Sequence, residues 1–467
     1  MLRKNVTRSF GAAISGLDRG HLTERVISRS KRMMLDTLGV GLIGTQTDVY
    51  NKALRYSQSF TSRDQSQVWG RAETVLPPQH AAFVNGVAVH SMDFDDTWHP
   101  ATHPSGAILP AVLALAQVLP RKLTGLDLLL AFNIGIEVQG RLLSFSREAL
   151  NIPQRFHPPT VVGVMGSAAA SANLLGLSPA QCTHALAIAA SSAGSPLANA
   201  ATPTKPFHMG NAAGRGLEAA QLAWMGLEGN PDVLDLESGF GVFFNEYNPS
   251  AMADVWGFKW ALESQSVAVK SFPAHLGMHW VAEAALAAKA ELQSGGESNN
   301  TNHLDEVRSV TLRVPASKYI NRTCPSSEHQ ARHSFQFNAC SALLDDRVTV
   351  ESFSDAQRNR PALRELLSKV RVESPEDNHP SFDKMYCDVV IETHLGNRYA
   401  GRCDTFYGHW RRPLSQEDLE RKFRSNASTV LSSEGVEGIL DVVGNMERIT
   451  DTSALGLYLQ MTSNQKA

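Results

Sequence analysis

The order of apolar and polar positions splits the chain into a long part with helical spacing and a shorter part with strand spacing. Thr23–Ile43 opens the helical part. Val26, Ile27, Met33, Met34 and Leu38 follow the helical period, while Arg25, Arg29, Lys31 and Arg32 supply a solvated side. From Gln79 to Leu227 the pattern predicts stacked helices over Ala81–Val89, Ala107–Leu119, Leu126–Leu143, Val161–Leu175, Pro179–Ser192 and Ala212–Met225. Runs of small residues such as Ser167–Ala172 let helix axes approach closely, which suits a tightly packed helical core.

After about residue 265 the period changes. Gly295–Asn302 is a polar loop, and Val307–Val314 then alternates apolar and polar residues as a half-buried strand does. Val370–Val372 and Asp388–Thr393 predict further strands, the second turning through Gly396-Asn397 into Arg398–Ala400. Helices are expected at Ser334–Leu344 and Pro361–Lys369. Beyond these, Ser415 followed by Asp418 resembles an N-terminal cap, and Val436–Met446 and Ala454–Met461 read as closing helices. The expected fold is mainly α. A large all-helical domain covers residues 1–267 and is completed by residues 405–467, and a smaller α+β lid domain, residues 268–404, is inserted before the C-terminal helices.

Composition narrows the functional classes. With 43% hydrophobic and 19% charged residues among 467, the chain is an ordinary globular one. A net charge of -3 gives no reason to expect nucleic acid or an anionic membrane as partner, so an acidic ligand would need a local cluster of cations. The five cysteines are odd in number and form no CxxC pair, which argues for a reducing compartment and against a disulfide framework or a cysteine zinc site. The most apolar segments, near Leu126–Val138 and Val161–Leu177, are broken by Asp127, Asn133 and Glu137 or diluted with Ser and Gly, so no membrane span is expected. Residues 1–17 are basic and acid-free, as fits a weak mitochondrial presequence and equally an ordinary first helix.

Candidate chemistry concentrates in Val89–His103, VHSMDFDDTWHPATH, which packs three histidines (His90, His99, His103) and three aspartates (Asp93, Asp95, Asp96) into one stretch. Pro100 and Pro104 deny it a regular helix past Trp98. Over one helical turn the pairs Asp93/Thr97 and His99/His103 would each share a face. A metal site is compatible with the composition, but no HExxH or HxxEH is present, and a metal-free acid/base or anion-holding site fits better. Structural histidines and caps are the third reading. Four further stretches add titratable groups on constrained turns: RFHPP with His157, TKPFHMG with Lys205 and His208, KSFPAHLGMHW with His275 and His279, and EHQARHS with Glu328 and Arg332. Several lie beside helix starts, where anions bind favourably, so together they suit a small polycarboxylate. No GxSxG, P-loop or strand-borne GxGxxG occurs.

The stretches HSMDFDDTWHPATHPSGAILP, RFHPPTVVG, TKPFHMGNAA, FPAHLGMHW, SEHQARHSFQF and CDTFYGHWRRPLSQEDLE are similar to those of the MmgE/PrpD family of 2-methylcitrate dehydratase-like lyases, and most of all to its decarboxylase branch. The likeness runs from Leu22 to about Ala427. It implies a homodimeric lyase without cofactor or metal, whose active site lies between the helical domain and the lid. It further implies decarboxylation of cis-aconitate to itaconate and CO2, in mitochondria and in antimicrobial metabolism of innate immunity. Dehydration of a 2-methylcitrate-like tricarboxylate is the alternative, and a non-catalytic binding protein the third possibility. Carried onto matching positions, the family's site falls on Asp93, Thr97, His103, His157, Lys205 and His275. The implied roles are carboxylate binding by Lys205, His275 and Thr97, proton donation by His103 or else His157, and orientation of a histidine by Asp93. Pro203, where the family pattern has Gln, and Thr323-Cys324, where it has an apolar pair, are departures expected to touch rate or specificity more than reaction type.

Overall fold

A computed structural model describes residues 5–150, 153, 155–249, 259–295, 303–317 and 319–463. The fold is mainly α, and the chain divides into two compact units. The first takes the described residues of Met1–Asn199, Pro203–Ala268 and Ser415–Ala467; the second takes Ala200–Thr202 and Val269–Leu414. The second unit thus carries on to Leu414, where the sequence reading stops at residue 404.

The first unit begins with α1 (Val6–Gly16), α2 (Glu24–Gly44), α3 (Asp48–Ser57), α4 (Pro78–His90), α5 (Pro104–Ala116) and α6 (Gly125–Ser144). A short β1–β2 hairpin (Ser66–Gln67, Val75–Leu76) lies between α3 and α4. Then come α7 (Pro158–Val161), α8 (Gly163–Leu174), α9 (Pro179–Ala190), α10 (Thr204–Trp224) and α11 (Ala261–Ser264). Thr23, Thr47, Thr124 and Ser178 each accept a backbone N–H at a helix start, satisfying donors that the first turn leaves unpaired. The core is built on close crossings. A Cβ on Gly86 of α4 would lie 2.9 Å from the Cα of Gly210 on α10, and one on Gly210 would lie 2.4 Å from the Phe83 carbonyl oxygen. Only glycine at these positions lets α10 seat against α4 this closely.

The second unit carries α12 (Gly277–Gly295), α13 (Glu328–Ala331), α14 (Phe335–Asp345), α15 (Asp355–Asn359) and α16 (Pro361–Ser368). Its sheet has the order β4-β3-β5-β6, built from β3 (Val307–Arg313), β4 (Val370–Glu373), β5 (Cys387–Thr393) and β6 (Arg398–Cys403). β3 runs parallel to β4 and antiparallel to β5. Alternate residues of β5 (Cys387, Val389, Ile391, Thr393) are buried, the period-2 signature of one face turned to a core, and α12 packs on this sheet.

Back in the first unit, α17 (Gln416–Ala427), α18 (Ser433–Gly444) and α19 (Ser453–Tyr458) close the chain. α17 packs on α2, where the buried Lys422 Nζ stands 2.6 Å from Asp36 Oδ1 and donates to the Phe94 carbonyl.

Besides the short β1–β2 hairpin and the one-turn helices, the main differences from the sequence reading lie in α3, α10 and α12. α10 starts at Thr204 rather than Ala212, because Pro206 lies in the first turn, where its missing N–H has no partner to lose. The Ala-rich α12 and the amphipathic α3 were not expected as helices. Of the predicted polar loop at 295–302, residues 296–302 lie outside the described residues, as do residues 1–4 of the basic N-terminal stretch. All five cysteines are free, and no helix among the described residues is long and apolar enough to cross a membrane.

Candidate active site

The polar knot of the sequence is the linker between α4 and α5. α4 ends at His90, and Asp93 then takes a left-handed backbone (φ 53) that turns the chain out of the helix, a conformation Asp tolerates better than most residues. Thr97 is clamped by two backbone hydrogen bonds with Ala268 (3.0 and 2.7 Å), and Trp98 N–H donates to the Thr102 carbonyl. Pro104 restarts a helix as its first residue, leaving His103 at the N-cap of α5. The helical face expected for Asp93/Thr97 and His99/His103 is therefore absent. Loop closure, not helical periodicity, brings Thr97 Oγ1 to 3.4 Å from His103 Nδ1.

Each aspartate has a distinct task. Asp93 Oδ2 lies 2.5 Å from the Nζ of Lys205 in the first turn of α10, and both side chains are buried. Asp95 lies 2.8 Å from His90 Nδ1 and 3.4 Å from His103 Nδ1. Asp96 accepts from Ser105 Oγ (2.5 Å) and the Ser105 N–H, capping α5. Its burial holds the carboxyl well above the usual range, the Ser105 hydroxyl offsetting part of this and Asp36 and Asp95 adding to it. The sequence reading gave the histidine-orienting role to Asp93. In the structure Asp93 meets the Lys205 ammonium and also stands in the group with Asp95 and His103, while Asp95 faces both His90 and His103.

His157 is the N-cap of α7, held by its N–H to the Ser195 carbonyl and by Thr160 Oγ1 donating to its own carbonyl (2.8 Å). Its Nδ1 lies 3.2 Å from the Nδ1 of His208, one turn into α10. His208 is thus a helix residue, not part of a turn leading into one, and the same holds for Lys205. The rings of His90, His103 and His157 form one cluster, with centroids 4.7 Å (His90–His103), 5.3 Å (His90–His157) and 6.2 Å (His103–His157) apart. Burial first, then repulsion from His90, Lys205, His208 and His103 when these carry a proton, push His157 well below the usual imidazole range. Burial with His90 and Lys205 lowers His208 to about 4. Both rings are neutral at neutral pH.

Hydrogen-bond roles follow from the partners. The Asp96 carbonyl, 3.0 Å from His103 Nδ1, only accepts, so that nitrogen carries a proton; facing a carboxylate, His90 Nδ1 does too. By distance, His90/His103/His157 and Asp93/Asp95/His103 are groups able to hold a metal ion.

Five of the six expected site residues (Asp93, Thr97, His103, His157, Lys205) therefore lie in the first unit. His275 belongs to the second. There its Nδ1 accepts from the Gly277 N–H (3.2 Å), so in the neutral ring Nε2 carries the proton and meets Tyr319 Oη at 2.7 Å. Tyr319 carried no signal in the sequence: it has no local motif, and only the fold sets it beside His275. His90, Asp95 and His208 stood within the stretches singled out, but their partnerships depend on how the loop closes. His279 stacks on Phe272 (4.0 Å between centroids) and reads as structural.

The MmgE/PrpD N-terminal domain model matches residues 8–252 and the C-terminal domain model matches residues 272–448. The chain belongs to the MmgE/PrpD family. Within it, the chain is 56% identical to human cis-aconitate decarboxylase, over 98% of this chain and 95% of that protein. It is 25% identical to cis-aconitate decarboxylase of Aspergillus terreus (97% and 95% covered) and 26% identical to 2-methylcitrate dehydratase of Salmonella typhimurium (91% and 92%).

Proposed function

We propose that the protein is a carboxy-lyase that converts cis-aconitate to itaconate and CO2 without a cofactor. The observation that carries this reading is the cluster of buried Asp93, Thr97, His157 and Lys205 with the half-buried His103 in a chain 56% identical to a cis-aconitate decarboxylase over nearly its full length.

The substrate's own bonding makes the reaction feasible. Heterolysis of the bond between CH2 and its carboxylate releases CO2. The electron pair forms a new C=C to the central carbon, and the old double bond shifts its pair onto the vinylic carbon, next to the far carboxylate. Adding one proton there gives itaconate, so the trianion and one proton become a dianion and CO2. The protein has to hold carboxylates, limit water and deliver that proton.

Lys205 supplies positive charge at the start of α10; an ammonium has three donors, so its pairing with Asp93 and a substrate carboxylate are compatible. Thr97 offers a hydroxyl beside His103, and His275, paired with Tyr319, is the carboxylate-binding histidine that the family likeness assigns. His103 is the proton donor: Asp95 and the Asp96 carbonyl favour its protonated ring, whereas His157 is held neutral. His157 serves as a neutral hydrogen-bonding group fixed by His208.

The deciding experiment is incubation with cis-aconitate and detection of CO2 and itaconate. Turnover of 2-methylcitrate instead would move the chain to the dehydratase branch, and binding without turnover would make it a binding protein.

The α+β unit is proposed as the lid, mitochondria as the compartment and antimicrobial immune metabolism as the setting, on the family likeness and, for the compartment, the basic N-terminus. A homodimer is proposed on that likeness too. It is supported by a hollow of about 640 Å³ rimmed by the exposed aromatics Tyr56, Phe60 and Phe207, a patch of the kind that second copies cover.

A further inference from the structure

The buried histidine cluster has a property that decarboxylation does not require. His90 is fully buried, its Nδ1 proton is committed to Asp95, and its Nε2 has no hydrogen-bond partner. With Nδ1 protonated, that nitrogen is a lone pair in the neutral ring, and an unpaired buried acceptor is costly. In His103 the Nδ1 proton faces the Asp96 carbonyl, so Nε2 is the ligand-capable nitrogen of the neutral ring. His157 joins them when its Nδ1 donates to His208.

We propose that His90, His103 and His157 form a three-histidine site for a divalent transition metal, Zn²⁺ above all, and that the bound metal switches the enzyme off. One ring nitrogen from each of the three histidines lies within 4.8 Å of the other two. Zinc–imidazole bonds of about 2.0–2.1 Å put ligand nitrogens roughly 3.4 Å apart, so the rings need only draw inward. Each ligand already has the outer partner that metal-binding imidazoles use: the Asp95 carboxylate for His90, the Asp96 carbonyl for His103, and His208 for His157. Asp93 and Asp95 bring negative charge to the site, and Asp93 also matches the charge of Lys205. Three neutral imidazoles with one open position suit Zn²⁺ or Cu²⁺ rather than Mg²⁺ or Ca²⁺. A metal on His103 Nε2 occupies the lone pair that must carry the catalytic proton, so metal and turnover exclude each other. Metal binding stands independently of the decarboxylase assignment; only the inhibition rests on it.

The test uses the full-length, chelator-treated protein. Calorimetry with Zn²⁺ and visible absorption with Co²⁺ should show one tetrahedral site per chain. His90→Gln should weaken Zn²⁺ binding by more than about tenfold, the lower end of losses seen even for outer-sphere partners. His99→Gln, outside the cluster, should not. In metal-buffered assays Zn²⁺ should abolish itaconate formation, a chelator should restore it, and His90→Gln should need more than about tenfold more Zn²⁺ for the same effect. If His90→Gln does not fold, His157→Gln replaces it in the binding arm. Absence of stoichiometric Zn²⁺ binding, or binding unchanged by both variants, overturns the site. Binding by a chain that does not turn over cis-aconitate upholds the site and overturns the proposed function instead.

Discussion

At the scale of single residues, the proton donor and the buried ion pair make separable predictions. His103→Asn should lower kcat by about 10²–10⁴-fold while the protein stays folded, checked by steady-state kinetics with circular dichroism. Lys205→Met removes the ammonium from the buried Asp93 carboxylate, and breaking such a pair costs about 3–5 kcal/mol. Lys205→Met combined with Asp93→Asn should recover much of that loss in denaturant titrations, yet not the affinity for substrate. The histidines set an acid limit. His208 has a folded-state value of about 4, below that of the unfolded chain, so the unfolded state binds more protons between about pH 6.5 and 4. Stability should be full above that window and fall as pH drops through it, and His208→Gln should flatten the decline of Tm with acidification. At this scale the sequence was partly legible. Asp93, Thr97 and His103 announced themselves through the density of polar residues in one stretch, but which aspartate serves which partner did not. The backbone reversal at Asp93 brings its carboxylate to Lys205 of α10 while Asp95 faces His90, and spacing alone carries no such information.

At the scale of elements, the site depends on how α10 seats against α4. α10 presents Lys205 and His208, and α4 ends at His90, so the Gly86–Gly210 crossing fixes their separation. Gly210→Ala would drive a methyl into the Phe83 carbonyl. Overpacking of this kind costs about 1–3 kcal/mol, and both Tm and turnover should fall although no site residue has changed. Strands and helices were readable where period-2 alternation in β5, helical periodicity in α2 and the Ser415 cap are local signals. The start of α10 was not, since Pro206 and Gly210 resemble breakers until the proline is seen in the first turn and the glycine at a crossing. α12 was missed because the histidine-rich stretch that opens it drew the reading away from its alanine-rich body, which is strongly helix-forming.

At the scale of the whole molecule, the proposed dimer is open to a direct test. Light scattering after gel filtration should report twice the chain mass, and Phe207→Glu with Tyr56→Glu should yield monomers if the aromatic hollow is the contact. Unchanged mass in the variant would place the contact elsewhere. The discontinuous helical unit has a further consequence, in the order in which the protein is made. Lys422 of α17 neutralises Asp36 of α2 and holds the carbonyl of Phe94, a residue 328 positions earlier and next to Asp93. A ribosome releases the amino-terminal helices long before it reaches that lysine. Until then Asp36 lacks its cation and the loop carrying Asp93 to His103 lacks its anchor. Competence should therefore appear only near the end of synthesis, so a half-made chain cannot act on the metabolite pool around it.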